Sequence, residues 1–244
     1  MTARWRLAGA LDHLVVSLDG GVWVEPRGNV LPIYFVADES GSMGQHIDEL
    51  NRGLLSLQDQ LQKESFAAAK VRFAVIGFAE SAETYLQLAD LRSLPSMPTL
   101  QARSSTSYAA AFDQLAYRIS IDVPALKAQG FAVHRPAVFF LTDGLPNQDE
   151  NWRSIRSDLL AQHERPNILA FGIGNADAAI IREVATDDDY AWVAAKGWDT
   201  GAALSRFITS LTQSVISSGQ GLASGASQLQ LEKPEGFSLA VEVL

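Results

Sequence analysis

The sequence predicts an α/β protein built on a mostly parallel sheet with helices on both faces. Three observations predict it. Short apolar runs rich in β-formers alternate with stretches whose apolar residues recur every three or four positions. The runs are apolar throughout, as in strands buried on both faces. A cluster of Asp, Ser and Gly follows the first of them, and such sheets carry their sites beyond the carboxyl ends of strands.

Each element follows in order. Leu31 to Ala37 is the first buried strand. Ile47, Leu50, Leu54, Leu57 and Leu61 make one helix face. Val71 to Phe78 is again a strand. In Glu83 to Leu88, apolar and polar positions alternate, which suits a half-exposed edge strand. Ser107 opens a helix with the stripe Phe112, Leu115, Ile119, Val123 and Leu126. AVFFLT (137–142) is a strand, and Trp152, Ile155 and Leu159 mark a short helix. Asn167 to Ile173 is a strand, Ile180, Ile181 and Val184 a short helix, and Tyr190 to Ala195 a strand. Leu204, Ile208, Leu211 and Val215 belong to a last helix, expected over Asp199 to Ser218.

The flanks read differently. Residues 1–30 form an appendage, with LVVSLDGGVWVE (14–25) as a hairpin turning at Asp19, Gly20 and Gly21. SSGQGLASGASQ (217–228) has the composition of a flexible linker. The core domain is therefore placed at 31–218, and the linker and tail at 219–244. In the tail, Phe237, Leu239, Val241 and Val243 alternate like a strand, which either pairs with the N-terminal hairpin, the preferred expectation, or is disordered.

Composition excludes several classes. A chain of 244 residues that is 47% hydrophobic can bury a core without covalent staples. It has no cysteine, so disulfides, thiolate metal sites and cysteine nucleophiles are excluded. A net charge of −9, with no Lys/Arg cluster, argues against nucleic-acid binding. The apolar stretch near the N-terminus is broken by Asp12 and His13, a poor signal-peptide core, and no run reaches membrane-span length. The expectation is a soluble cytoplasmic protein that does not engage a membrane.

DESGSMG (38–44) carries the chemistry. Asp38, Ser40 and Ser42 occupy its first, third and fifth positions, and Gly41 lets the backbone turn so that their side chains converge. One carboxylate and two hydroxyls are hard oxygen donors, suited to Mg²⁺, Mn²⁺ or Ca²⁺. Asp143, in VFFLTDGLP, ends a later buried strand. Thr106, in RSSTSYAAAF, stands just before a helix. With the two strands side by side, the three loops meet at one rim.

These three separated motifs, in this order, resemble the metal-ion-dependent adhesion site of von Willebrand factor A domains. LPIYFVADESGSM and VFFLTDGLPN are most similar to the bacterial branch grouped with the tellurium-resistance TerY proteins. The resemblance covers about residues 31 to 218. It implies a three-layer αβα, doubly wound sheet of six strands in the order 3-2-1-4-5-6, the Glu83–Leu88 edge strand antiparallel. It implies hydroxyl ligands from Ser40, Ser42 and Thr106, with Asp38 and Asp143 binding directly or through water. The sixth position is left to water or to an Asp or Glu of a protein partner. It further implies a non-catalytic protein-interaction module within a bacterial stress, metal-resistance or defence complex, with kinase- or phosphatase-type partners. Two positions depart from the pattern. Glu39 replaces a small or hydroxyl residue, and can face away, tighten the cation's hold or repel an acidic partner. Ser104-Ser105 stands where two glycines are common.

Rival readings compete with this one, among them an enzyme in which the metal activates water. SGSMG resembles a nucleophile elbow at Ser42, with Asp143 and His163 following in triad order. Against it, Ser40 stands where glycine is needed, too few strands precede Ser42, and His163 precedes a core strand. A cation serving only to stabilise the loops is a third reading. Asp187, Asp188 and Asp189 read as a solvated loop before a second cation site. Asp149, Glu150 and Trp152 suit a binding rim or a helix start equally.

Overall fold

The computed structural model describes residues 14–16, 22–24, 27–226 and 229–243. Strands β1 (Leu14–Val16) and β2 (Val22–Val24) pair antiparallel, Leu14 opposite Val24. The turn expected at Asp19, Gly20 and Gly21 lies outside the described residues.

The main sheet grows from β3 (Asn29–Asp38), buried from Val30 onward. It is flanked in parallel by β4 (Val71–Phe78) on one side and β7 (Ala137–Thr142) on the other. Antiparallel β5 (Ala82–Ala89) lies beyond β4. Parallel β8 (Asn167–Gly172) and β9 (Ala191–Ala194) lie beyond β7. These six stand in the expected order, 3-2-1-4-5-6 along the chain. The sheet nevertheless has eight strands, not six. Residues β6 (Ala132–Val133) pair with the start of β3, and β10 (Phe237–Leu239) adds antiparallel to β9.

Side-chain alternation along β3 builds the two cores. Ile33, Phe35 and Ala37 face helices α1 (Ile47–Lys63), α2 (Ser65–Ala68) and α6 (Thr200–Ala223). Tyr34 and Val36 face α3 (Tyr108–Ala128), α4 (Trp152–Ala161) and α5 (Ala178–Val184), and α7 (Ala240–Val243) closes that side. Fully burying each of Leu50, Leu54 and Leu57 of α1 stabilises the layer by roughly 1.5–3 kcal/mol. Ser107 caps α3 as its residue type suggests, its Oγ accepting the Ala110 N–H at 3.1 Å.

The chain end departs from the sequence reading. No linker begins at 217, because α6 runs on to Ala223. Its small residues mark close approach, not flexibility. A Cβ on Gly219 would lie 2.4 Å from the Ala67 carbonyl oxygen. Beyond it, the tail lies along α6, held by three buried serines one turn apart. Ser218 Oγ accepts the Gln230 N–H at 2.9 Å and donates to the Gln230 carbonyl at 3.2 Å. Ser214 Oγ accepts the Glu232 N–H at 2.9 Å, and Ser210 Oγ donates to the Glu232 carbonyl. The tail strand then pairs with β9, not with the N-terminal hairpin. Phe237 enters the core against Phe171, and the alternation ends where α7 begins.

Candidate functional site

The centre of the sheet sets the site. Because β3 and β7 are parallel neighbours with Ala37 opposite Leu141, Asp38 and Thr142 emerge together at their carboxyl ends. Asp38 is wholly buried there and Asp143 nearly so. The 3₁₀ turn Gly41–Gln45 that follows β3 carries Ser42 back over the strand ends.

Asp38, Ser40, Ser42 and Asp143 form one linked set. Asp38 Oδ1 accepts the Ser40 N–H at 2.8 Å, and Oδ2 accepts the Thr142 hydroxyl at 2.6 Å. The Ser40 and Ser42 hydroxyls lie 3.1 Å apart, and Ser42 Oγ donates to Asp143 Oδ1 at 2.7 Å. Thr106 comes alongside on its own loop. Its N–H donates to Asn147 Oδ1 at 3.2 Å, its carbonyl accepts the Asn147 N–H at 2.9 Å, and its hydroxyl faces Gly144. No side-chain hydrogen bond joins it to the other four.

Electrostatics distinguish this cluster from a set of caps. Burial pushes the Asp38 carboxyl up to about 6, with the Thr142 and Ser40 bonds pulling it back. Burial raises Asp143 too, opposed first by the Ser42 hydrogen bond and, more weakly, by His46. No Lys or Arg among the described residues compensates either carboxylate. Two buried anions with three hydroxyls beside them are an oxygen set of the type hard divalent cations take. Among the described residues no three His, Asp or Glu side chains group into a metal cluster, so hydroxyls must complete any such shell.

Several residues take roles that the sequence did not disclose. Thr142 links Asp38 to Tyr108, whose OH lies 3.3 Å from Thr142 Oγ1 and donates to the Gly144 carbonyl at 3.1 Å. Glu39 faces away from the cluster, wholly buried, and pairs with Arg103 at 2.9 Å. Glu150 accepts the Ala109 N–H, capping α3 from another loop, while Trp152 is buried between Tyr108 and Phe112 and forms no rim. Glu39 gave a sequence signal, an acid directly after an apolar strand, and Trp152 opens α4, one of its two readings; Thr142 and Tyr108 gave none. Asp187 and Asp188 are occupied in a turn and in a pair with Arg182. His163 precedes β8 at the opposite end of the parallel strands from Ser42, so the triad of the elbow reading is not assembled. Among the described residues no helix is long and apolar enough to cross a membrane.

Solved structures share this architecture. The pilus adhesin SpaC from Lactobacillus rhamnosus GG, in its open conformation, is 13% identical with a TM-score of 0.62, over 79% of this chain and 30% of that one. Proximal thread matrix protein 1 from the mussel byssus is 16% identical with a TM-score of 0.54, over 78% of this chain and 49% of that one. The chain thus spans at most about half the length of either, and at these identities the likeness is one of fold. No curated protein sequence matches the chain. The sequence pattern of the von Willebrand factor type A domain matches residues 33–206, from the middle of β3 into α6. With that match over most of its length and the sheet order described above, the chain belongs to the von Willebrand factor type A domain family.

Proposed function

We propose that this chain is a metal-dependent protein-interaction module, a metal-ion-dependent adhesion site formed by Asp38, Ser40, Ser42, Thr106 and Asp143. One observation carries the reading: two buried carboxylates and their hydroxyl neighbours converge at the central strand ends with no Lys or Arg among the described residues to neutralise them. A divalent cation of the Mg²⁺, Mn²⁺ or Ca²⁺ kind, when bound, supplies a positive centre for an Asp or Glu of a partner. The chain's own part is to hold the oxygens in place. Thr142 fixes one Asp38 oxygen, Ser42 fixes one of Asp143, and Asn147 anchors the main chain at Thr106.

The role is binding, not catalysis. The Ser42 proton goes to a buried carboxylate, and among the described residues no histidine hydrogen-bonds to Ser42. On the motif resemblance, the setting is a TerY-like bacterial stress, metal-resistance or defence complex with kinase- or phosphatase-type partners in the cytoplasm.

Titration calorimetry with Mg²⁺ tests the site. Asp38→Ala and Asp143→Ala abolish binding while the circular dichroism spectrum holds. Unchanged Mg²⁺ affinity in both variants overturns the assignment. Partner capture with and without chelator separates adhesion from a structural cation, because partners retained equally in both point to the structural role.

A further inference from the structure

Glu39 is the one polar side chain of DESGSMG that the site does not use. It is also the most completely enclosed acid beside it. Its Oε2 lies where a side chain on β4 would be: a Cβ on Gly77 would come within 2.2 Å. Its Oε1 accepts the Gln101 N–H at 2.9 Å, and its Oε2 accepts from Arg103 at 2.9 Å. Arg103 continues outward to the Ser81 hydroxyl at 3.0 Å and the Ser81 carbonyl at 2.9 Å. Tyr85 of β5 packs beside the carboxylate, its phenol pushed up to about 12 by burial, then by hydrogen bonding with Glu39 and by the Glu39 charge.

The main chain is joined at the same place. Arg103 N–H donates to the Glu39 carbonyl at 2.5 Å, and Gly41 N–H donates to the Ser104 carbonyl at 2.9 Å. The pair therefore stands between two ligand-bearing stretches. Glu39 follows Asp38 directly, and Arg103 lies three residues before Thr106. Residues 99–106 have no helix or strand of their own, so side-chain contacts, these two main-chain bonds and the Asn147 N–H on the Thr106 carbonyl set their path. Ser104 and Ser105 stand where the family resemblance has glycines, and neither takes a positive φ.

We propose that Glu39 and Arg103 are a positioning pair that holds loop 101–106, and with it the Thr106 hydroxyl, against the candidate metal site. The inference rests on the metal-site reading above. Neither residue touches the cation. Their effect on affinity passes through the loop, as supporting residues of metal ligands act in general.

The sign of two substitutions separates positioning from simple charge. Glu39→Gln keeps the volume and the acceptor for Gln101 but loses the ion pair. Arg103→Met keeps the aliphatic stem and loses the guanidinium. A positioning role predicts that both weaken Mg²⁺ binding, by about 10–100-fold. Both also speed amide hydrogen exchange over residues 101–106. A charge effect on the site predicts opposite signs, since removing Arg103 leaves Glu39 unpaired near the cation and tightens binding. Tighter Mg²⁺ binding by Arg103→Met overturns the proposal, as do unchanged affinity and exchange in both variants. Should Arg103→Met unfold, Arg103→Lys, which keeps the charge without the planar fork, takes its place. A wild-type chain that binds no Mg²⁺ sinks the metal reading alone, and the exchange rates then judge the pair without it.

Discussion

The Thr142 hydroxyl, at the end of β7, donates a 2.6 Å hydrogen bond to Asp38 Oδ2 at the end of β3. Both groups are buried, so this bond cannot be replaced by water. Thr142→Val keeps the shape and leaves the carboxylate short of a donor. Unfolding in urea will show a loss of roughly 1–3 kcal/mol, the penalty for a buried polar group without its partner.

Asp38 also makes the chain respond to pH. Its folded carboxyl is raised to about 6 from an ordinary value near 3.8, so the folded state favours the protonated form. The associated stability is complete below pH 4 and is lost as the pH rises through 6. At about 1.4 kcal/mol per pH unit, the loss is roughly 3 kcal/mol. Metal-free protein will be more stable at pH 4.5 than at pH 7 by about 2 kcal/mol of this, since only the span from 4.5 to 6 is crossed, and Asp38→Asn will flatten the difference. Mg²⁺ binding runs the other way, weakening below pH 6 as the proton competes for the carboxylate.

A saturating cation should offset that cost. Mg²⁺ at 100 times its dissociation constant will raise stability by about 2.7 kcal/mol at neutral pH. Thermal unfolding before and after chelation measures it, and the Asp143→Ala chain should show no such shift.

Gly77→Ala tests the Glu39 pocket from the other side. The new Cβ meets both the Glu39 carboxylate and Tyr85, at 2.2 and 2.7 Å. Overpacking of this kind costs about 1–3 kcal/mol. Because the carboxylate must move, the Mg²⁺ affinity of this variant should fall along with its melting temperature.

Gly219→Ala reverses the usual sign of a helix substitution. In an open helix the change stabilises by about 1 kcal/mol. Here the methyl meets the main chain of α2, 2.4 Å from the Ala67 carbonyl oxygen. Chemical denaturation should show the variant less stable than the parent, while Gly221→Ala, two residues on with its nearest neighbour at 3.5 Å, should gain.

The main-chain architecture was legible because it is periodic. Apolar runs located five of the six principal strands, alternation located the edge strand, and three- and four-residue spacing located the helices that cover them. The polar loops at the strand ends then followed from topology. What escaped is what has no period. The partner of Glu39 lies 64 residues away, and a single buried ion pair leaves no pattern. Thr142 sits inside an apolar run, where a hydroxyl reads as a β-former. The Ser/Gly stretch after Val215 has the composition of a linker, yet its small size is what lets α2 and the tail touch α6. Trp152 read equally as a rim residue or a helix start; it opens α4, and packing against Tyr108 and Phe112 draws it inside.

The serine row on α6 addresses only amide and carbonyl groups of residues 230 and 232. It reads the tail as a backbone, while Leu229 and Leu231 supply the apolar contact from alternate positions. The outward side chains of Gln230 and Glu232 are therefore a blank line in an otherwise tightly worded structure. A label or cross-linker written there would be carried rigidly by the domain without being part of what folds it.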